Sequence, residues 1–381
     1  MAPEWTYTVH DLLTNALLAE LPLTGVGYNL VLNDSGSLGG SFSVDRRRNP
    51  RGVRVRDPYN TTMPCRTCVY AWRDDVPQWG GIIWTRKYDS TTGVVNIQAA
   101  DWWSYFDHRK VLPLLSFPVA VEFEIAELAV SQVGQDQNDI ARYLVELAQS
   151  HAGGDLGLVL DATTSGIDRD RTWRGFELAD VGEELRRLSQ VLDGPDIAFG
   201  VSPSVDPVTG RPVRTMRTGD PMLGQQGAAW VWEYGANVTS YTWPSDGTRY
   251  AARTIAVGNG MEYGTPVAVS ESRPIGWPLT ETETSYSSVS EPDTLQEHAD
   301  SDQIVSRLPV VLPTLTVRGD RTPRIGEWGI GDDGRVQIED DFHTTGIETS
   351  MRIVRADVTP ADDGQDETVV FTMAPLLDDV A

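Results

Sequence analysis

The sequence predicts a mainly β protein with α+β parts: two antiparallel β-barrel blocks and two smaller α/β segments, the second inserted in the second barrel. Three observations carry this expectation. Short alternating apolar runs, such as "GYNLVLN", "SLGGSFSV" and "VVNIQAA", fill the first third of the chain. Helical stripes with stop signals interrupt the strands in the middle. The same plan, a strand block and then a mixed block, recurs after residue 230.

Residues 1–115 are expected to form the first barrel. In "HDLLTNALLAELP", Leu13, Ala16, Leu17 and Leu21 share one helical face and Pro22 closes it, which reads as a short helix. Tyr28, Leu30 and Leu32 then alternate along one strand, and Leu38, Phe42 and Val44 along the next, joined by the turn "NDSGS". The stretch "DRRRNPRGVRVRDPYNTTMP" follows, with Arg46, Arg47, Arg48, Arg51, Arg54 and Arg56; its prolines and glycine read as a loop or irregular hairpin. The strands "CVYAW" and "GGIIWTRKY" come next. "STTG" turns the latter into "VVNIQAADWW", where Val95, Ile97 and Ala99 alternate.

Residues 116–229 change period and are expected as an α/β domain. Ile140, Tyr143, Leu144, Leu147 and Ala148 share a helical face that Gly153 can end. Asp180 and Glu183 are spaced as a capping box before the stripe Val181, Leu185, Leu188 and Leu192. The strand "IAFGVS" follows. Residues 230–260 and 320–381 return to strands and are expected as the second barrel; 261–319, with a polar stretch and a helix from about Asp293, read as the inserted small α/β domain.

The composition excludes several function classes. A chain of 381 residues, 40% hydrophobic, is long enough for two to four folded domains. Its net charge of -24 repels nucleic acid and anionic membrane, which argues against a DNA reader and lets a polyanion slide past without sticking. No apolar run approaches the roughly 20 residues of a membrane span, and "MAPEWTYTVH" lacks the pattern of a signal peptide. Synthesis and folding in a cytoplasm are expected. Cys65 and Cys68 have no second pair to complete a zinc site, and "CVYAW" reads as a strand, so they are expected as unlinked thiols.

Patterns that could carry chemistry are sparse. "AVGNGMEYG" resembles a GxGxxG phosphate loop, with Gly258, Gly260 and Gly264, but no helical stripe follows it. These glycines are expected to serve a strand exit that needs positive φ or close backbone approach. The five histidines fall in no metal-ligand spacing; His108, near Asp101 and Asp107, reads as a polar strand end. There is no GxSxG elbow. The acidic pairs Asp74-Asp75, Asp332-Asp333, Asp340-Asp341 and Asp362-Asp363 read as solvated turns, with a glycosidase pair as the sharper alternative. No metal or cofactor is expected. The arginine loop is either a solvated loop or a contact for an acidic neighbour, which this acidic chain could itself supply in a homo-oligomer. The twelve tryptophans, among them Trp72, Trp79, Trp84, Trp102, Trp103, Trp230, Trp232 and Trp243, fit a core plus an interface better than a sugar platform.

Three stretches resemble the minor tail, or tail-hub, proteins of long-tailed phages infecting actinobacteria, a baseplate-hub-like family. They are "NVTSYTWPSDGTRYAARTIAVGNG", "GGIIWTRKYDSTTGVVNIQAADWWSYFDHR" and "HDLLTNALLAELPLTGVGYNLVLNDSGSLGGSFSVD". The resemblance spans nearly the whole chain and rests on soft patterns of aromatics, glycine and alternation. It implies a homotrimer whose paired tube-type barrels make a pseudo-sixfold ring at the distal tail tip, with two α/β domains outside. The implied partners are the distal tail protein ring, the tape-measure protein C-terminus and other tip or fibre proteins, with genomic DNA passing through unbound. Many members carry a C-terminal enzymatic or host-binding extension; this sequence ends at "ETVVFTMAPLLDDVA", so no built-in enzyme is expected. The Gly258–Gly264 turn is then expected at the junction between second barrel and insertion. A cell-wall carbohydrate-active enzyme or glycan-binding protein is the alternative, and a hub of a phage-like injection machine a third reading.

Overall fold

The computed structural model describes residues 3–376 except 46–52, 116–123, 192, 221, 228–229, 287–288, 290–291, 308, 310 and 363. The protein is mainly β with α+β parts. It divides into two compact units, Met1–Tyr241 with Leu315–Ala381, and Thr242–Thr314.

The first unit opens with β1 (Trp5–Asp11), β2 (Leu17–Glu20), β3 (Thr24–Val31), β4 (Ser37–Ser43), β5 (Thr67–Arg73), β6 (Val76–Asp89) and β7 (Val94–Ala100). Two single-turn helices, α1 (Pro58–Thr61) and α2 (Trp103–Phe106), accompany them. Hydrogen bonds order the strands β3-β4-β7-β6-β5-β1-β2, all antiparallel. The alternation of Val95, Ile97 and Ala99 and of Leu38 and Phe42 puts those side chains in the core. Residues 10–22 are not the helix the leucine spacing suggests. Asp11 accepts the Thr14 N–H at 2.9 Å and its hydroxyl at 2.8 Å, and Asn15 takes φ 53°, so the chain reverses between two strands. Leu12 and Leu21 are buried, while Leu13, Leu17 and Leu18 face outward.

The middle of the chain supplies α3 (Glu124–Glu127), β8 (Ala129–Asp136), α4 (Gln137–Ser150), β9 (Leu158–Leu160), β10 (Asp168–Arg174), α5 (Val181–Ser189), β11 (Ile197–Val205) and β12 (Pro212–Thr218). β8 and β10 pair alone; β12 lies between antiparallel β11 and parallel β9. Asp136 caps α4 through the Asn138 N–H, and Ile140, Leu144 and Ala148 form its buried stripe. α5 buries Val181, Leu185 and Leu188; Leu192 lies outside the described residues. The expected capping box is absent, because Asp180 instead pairs with Lys110 Nζ at 2.6 Å. These helices and β11 share one core with Tyr70, Ile82, Trp102, Trp103 and Phe106 of the first strand group.

After β13 (Trp230–Glu233) and β14 (Val238–Thr242) comes the second unit. Its sheet holds β15 (Arg253–Val257) between antiparallel β16 (Val267–Glu271) and parallel β17 (Glu281–Ser285). Helix α6 (Pro292–Ser306) packs on one face, where Ala256, Ala268, Leu295 and Ala299 make the core. β15, read from sequence as part of the second barrel, hydrogen-bonds within this unit.

The first unit then resumes with β18 (Thr314–Arg318), β19 (Asp333–Ile338), β20 (Ile347–Thr359) and β21 (Thr368–Pro375). Their order is β14-β18-β21-β20, with β19 beside β20 and parallel to β13. Residues 355–358 of β20 pair with 28–31 of β3. The two strand groups, expected as two barrels, are thereby joined in one 13-stranded sheet whose hydrogen-bonded path among the described residues runs from β14 to β2.

Candidate assembly surfaces

Of the predicted arginine loop, Arg46, Arg47, Arg48 and Arg51 lie outside the described residues. Arg54 and Arg56 are exposed just before α1, which Asp57 caps through the Asn60 N–H at 3.1 Å. α1 presents Tyr59 to Arg86 of β6, whose guanidinium carbon lies 4.4 Å from the ring centroid. Arg86 Nη1 donates to the Tyr59 carbonyl and, at 3.4–3.5 Å, to the hydroxyl and carbonyl of Thr62. Val44, Arg56, Asp57, Pro58, Tyr59, Arg86, Tyr88 and Val95 line a cleft of about 580 Å³ here, with the Asp57 carboxylate turned to the Asn60 N–H and side chain. Tyr59 and Tyr88 are 64% and 53% exposed. Among the described residues neither Arg56 nor Arg86 forms an ion pair, whereas Arg73, Arg142, Arg186 and Arg318 do.

The loop "AVGNGMEYG" connects antiparallel β15 and β16. Gly258 N–H donates to the Pro266 carbonyl at 2.9 Å and Asn259 N–H to that of Val289 at 2.6 Å. None of Gly258, Gly260 and Gly264 has positive φ; Glu262 takes φ 51° instead. A Cβ on Gly258 would sit 2.6 Å from the Val289 carbonyl oxygen, and one on Gly260 2.4 Å from Thr265 Cα. Close backbone approach therefore explains these two, while a Cβ on Gly264 meets nothing within 4 Å. The loop is a hairpin turn inside the second unit rather than the expected junction, because the chain passes between units at 241–242 and 314–315. A strand follows it, so no helix N-terminus faces the glycines.

The acidic pair Asp332-Asp333 is not a solvated turn. Both residues are buried. Asp332 accepts the N–H groups of Gln225 at 2.8 Å and Gly329 at 2.8 Å and the Trp230 indole at 3.1 Å. Asp333 accepts the Gly227 N–H at 3.0 Å. Asp74 and Asp75 do form a turn, with φ 49° and 62°. Asp340 accepts the N–H groups of Phe342 and His343 and the Tyr241 hydroxyl. Asp363 lies outside the described residues. His108 packs against Trp84 at a tilt of 49°, with ring centroids 4.6 Å apart. Both cysteines are free, Cys65 exposed and Cys68 buried.

Three buried charges drew no notice in the sequence. Glu367 grips Arg73 with both carboxylate oxygens at 2.7–3.1 Å and accepts the Trp5 indole at 3.0 Å. Arg352 pairs with Asp196 at 2.5 Å and donates to the carbonyls of Leu223 and Gly331. Arg214 donates to the carbonyls of Leu12 and Leu156 and to the Tyr70 hydroxyl. Each bridges segments far apart in the chain, so no local spacing announces it. Trp79, Trp102, Trp103 and Trp232 are buried, and the first three donate their indole N–H to main-chain carbonyls. Their faces are core, not a platform.

No family model matches the sequence, and no curated protein matches it. Solved structures do match in fold, over nearly the whole chain. The 43 kDa tail protein of prophage MuSo2 from Shewanella oneidensis superposes with a TM-score of 0.64 at 11% identity, covering 98% of each chain. The tail protein from Neisseria meningitidis MC58 gives 0.58 at 14% identity over 96% of each chain. This chain has the fold of phage tail proteins. The prophage tail protein gp18 from Listeria monocytogenes EGD-e agrees at 0.52 and 11% identity, covering 96% of this chain and 94% of that one. At these identities the likeness is one of fold, in the path of the backbone.

Proposed function

We propose that this protein is a structural tail hub at the distal end of a long-tailed actinobacterial phage. Three copies form a pseudo-sixfold ring that continues the tail tube. The ring meets the distal tail protein above, tip or fibre proteins below and the end of the tape-measure protein, and gives DNA a path during ejection. It is made in the host cytoplasm and resides at the virion's tail tip. No catalytic residue or cofactor is assigned.

The observation that carries this reading is the likeness in fold, end to end, to tail proteins. The chemistry of the chain supports it. One chain supplies two strand groups already joined through β3 and β20, so three chains supply six. The sheet ends in β2, where Leu17 is 63% exposed, and in β14. A terminal strand with exposed apolar side chains, as in β2, invites pairing, and a contact between two different ends closes a ring. The net charge of -24 lets DNA pass with little retention.

Native mass spectrometry of the purified chain at several concentrations tests the reading, with a trimer expected. A strictly monomeric protein that turns over cell-wall glycan would overturn it in favour of the carbohydrate-active alternative. Electron microscopy of the assembled particle then checks position and neighbours.

A further inference from the structure

The cleft beside α1 holds two arginines, Arg56 and Arg86, against one carboxylate, Asp57, which is turned to Asn60. Arg86 spends only Nη1 on main-chain and hydroxyl oxygens of 59–62. Its Nε–Nη2 edge, the one that matches a carboxylate in a two-pronged contact, has no partner among the described residues. Stacking on Tyr59 fixes the plane of that edge, so little further freedom is lost when it binds. Arg56 adds a second cation on the rim, in no ion pair among the described residues. Val44, Tyr59, Tyr88 and Val95 give apolar walls, on which an aliphatic or aromatic neighbour of the carboxylate can rest.

We infer that this cleft is a docking site for an acidic segment of a second copy of the same chain. Charge complementarity selects that occupant. The chain carries 55 acidic residues against 31 basic ones, yet residues 44–66 hold seven arginines and two aspartates. A basic stretch in so acidic a chain finds its counter-charge on any copy of itself. One candidate is described: at the other end of β6, Asp74, Asp320, Asp362, Asp366 and Glu367 outnumber Arg73 and Arg324 around a cleft of about 770 Å³, where Asp320 and Asp366 also meet Arg318. About thirteen residues at ~3.3 Å each separate the two clefts, on the order of 40 Å, too far for one copy to satisfy itself. The inference rests on the homo-oligomeric reading above and adds which surface holds the copies together.

The test uses the full chain in sedimentation velocity across salt concentrations. Arg56→Ser with Arg86→Ser is expected to weaken self-association at least about tenfold, the loss of one charge-assisted contact or more. It should also flatten the salt dependence. Arg56→Ser alone, at an exposed position that cannot unfold the protein, should weaken it by a smaller factor. Arg249→Ser, an exposed arginine outside the cleft, should change nothing. A trimer that forms equally well in the Arg56/Arg86 variants overturns the cleft while leaving the hub reading intact. A wild-type chain that stays monomeric overturns both. Binding of a short DNA duplex that disappears in the same variants also overturns it, since the cleft would then serve a polyanion.

Discussion

Asp101 lies beneath the turn between β3 and β4, where it accepts the Ser35 hydroxyl at 2.9 Å and the N–H groups of Gly36 at 2.7 Å and Trp103 at 3.0 Å. Burial pushes its carboxyl up to about 7 from an ordinary 3.8, against the pull of those donors. The folded protein then holds a proton that the unfolded chain has released between these two pH values. Stability at this site is complete below the lower value and falls as pH rises through the upper one. Asp101→Asn should flatten that part of the stability profile, and the carboxyl carbon resonance of Asp101 should titrate near neutrality. Arg352 offers a second residue-scale check. Arg352→Leu strands Asp196 in the interior and should cost about 3–5 kcal/mol in urea denaturation. Neither site was legible beforehand. Asp101 read only as a neighbour of His108, and the Arg352–Asp196 pair closes a separation of 156 residues that no periodicity records.

At the scale of elements, the glycine hairpin separates necessity from accident. Gly260→Ala should destabilise the second unit by about 1–3 kcal/mol, because the new methyl meets Thr265 Cα. Gly264→Ala should stay within about 0.5 kcal/mol. Hydrogen exchange of the 253–271 amides reads both. Local pattern was a good guide where one face of an element meets the core: α4, α5 and the β6–β7 hairpin follow their stripes. It misled at residues 10–22, where leucines happen to fall at helical spacing. The competing signal was there, in Trp5, Tyr7 and Val9 alternating just before and in Asp11 and Asn15 as turn formers. At the arginine loop the sequence showed the charge, but not that β6 would bring Arg86 and Tyr88 beside it.

For the whole molecule, cores rather than periodicity set the cooperative units. The middle α/β segment shares its core with the first strand group, and the two strand groups share a sheet. Scanning calorimetry should therefore resolve two transitions, one for Thr242–Thr314 and one for the rest, although the sequence suggests four domains. The repeated plan was visible in the order of blocks. The seam between them was not, because edge pairing between strands more than 300 residues apart leaves no local mark.

That seam sets how force travels through the molecule. β3 and β20 run antiparallel, with Tyr28 opposite Val358 and both side chains buried. A pull along either strand loads a row of backbone hydrogen bonds in shear, all at once, rather than peeling them one by one. A slip of one residue would turn Tyr28 and Val358 from the core to the opposite face. The join cannot creep by small increments: it keeps its register as a ratchet tooth does, or it fails as a row.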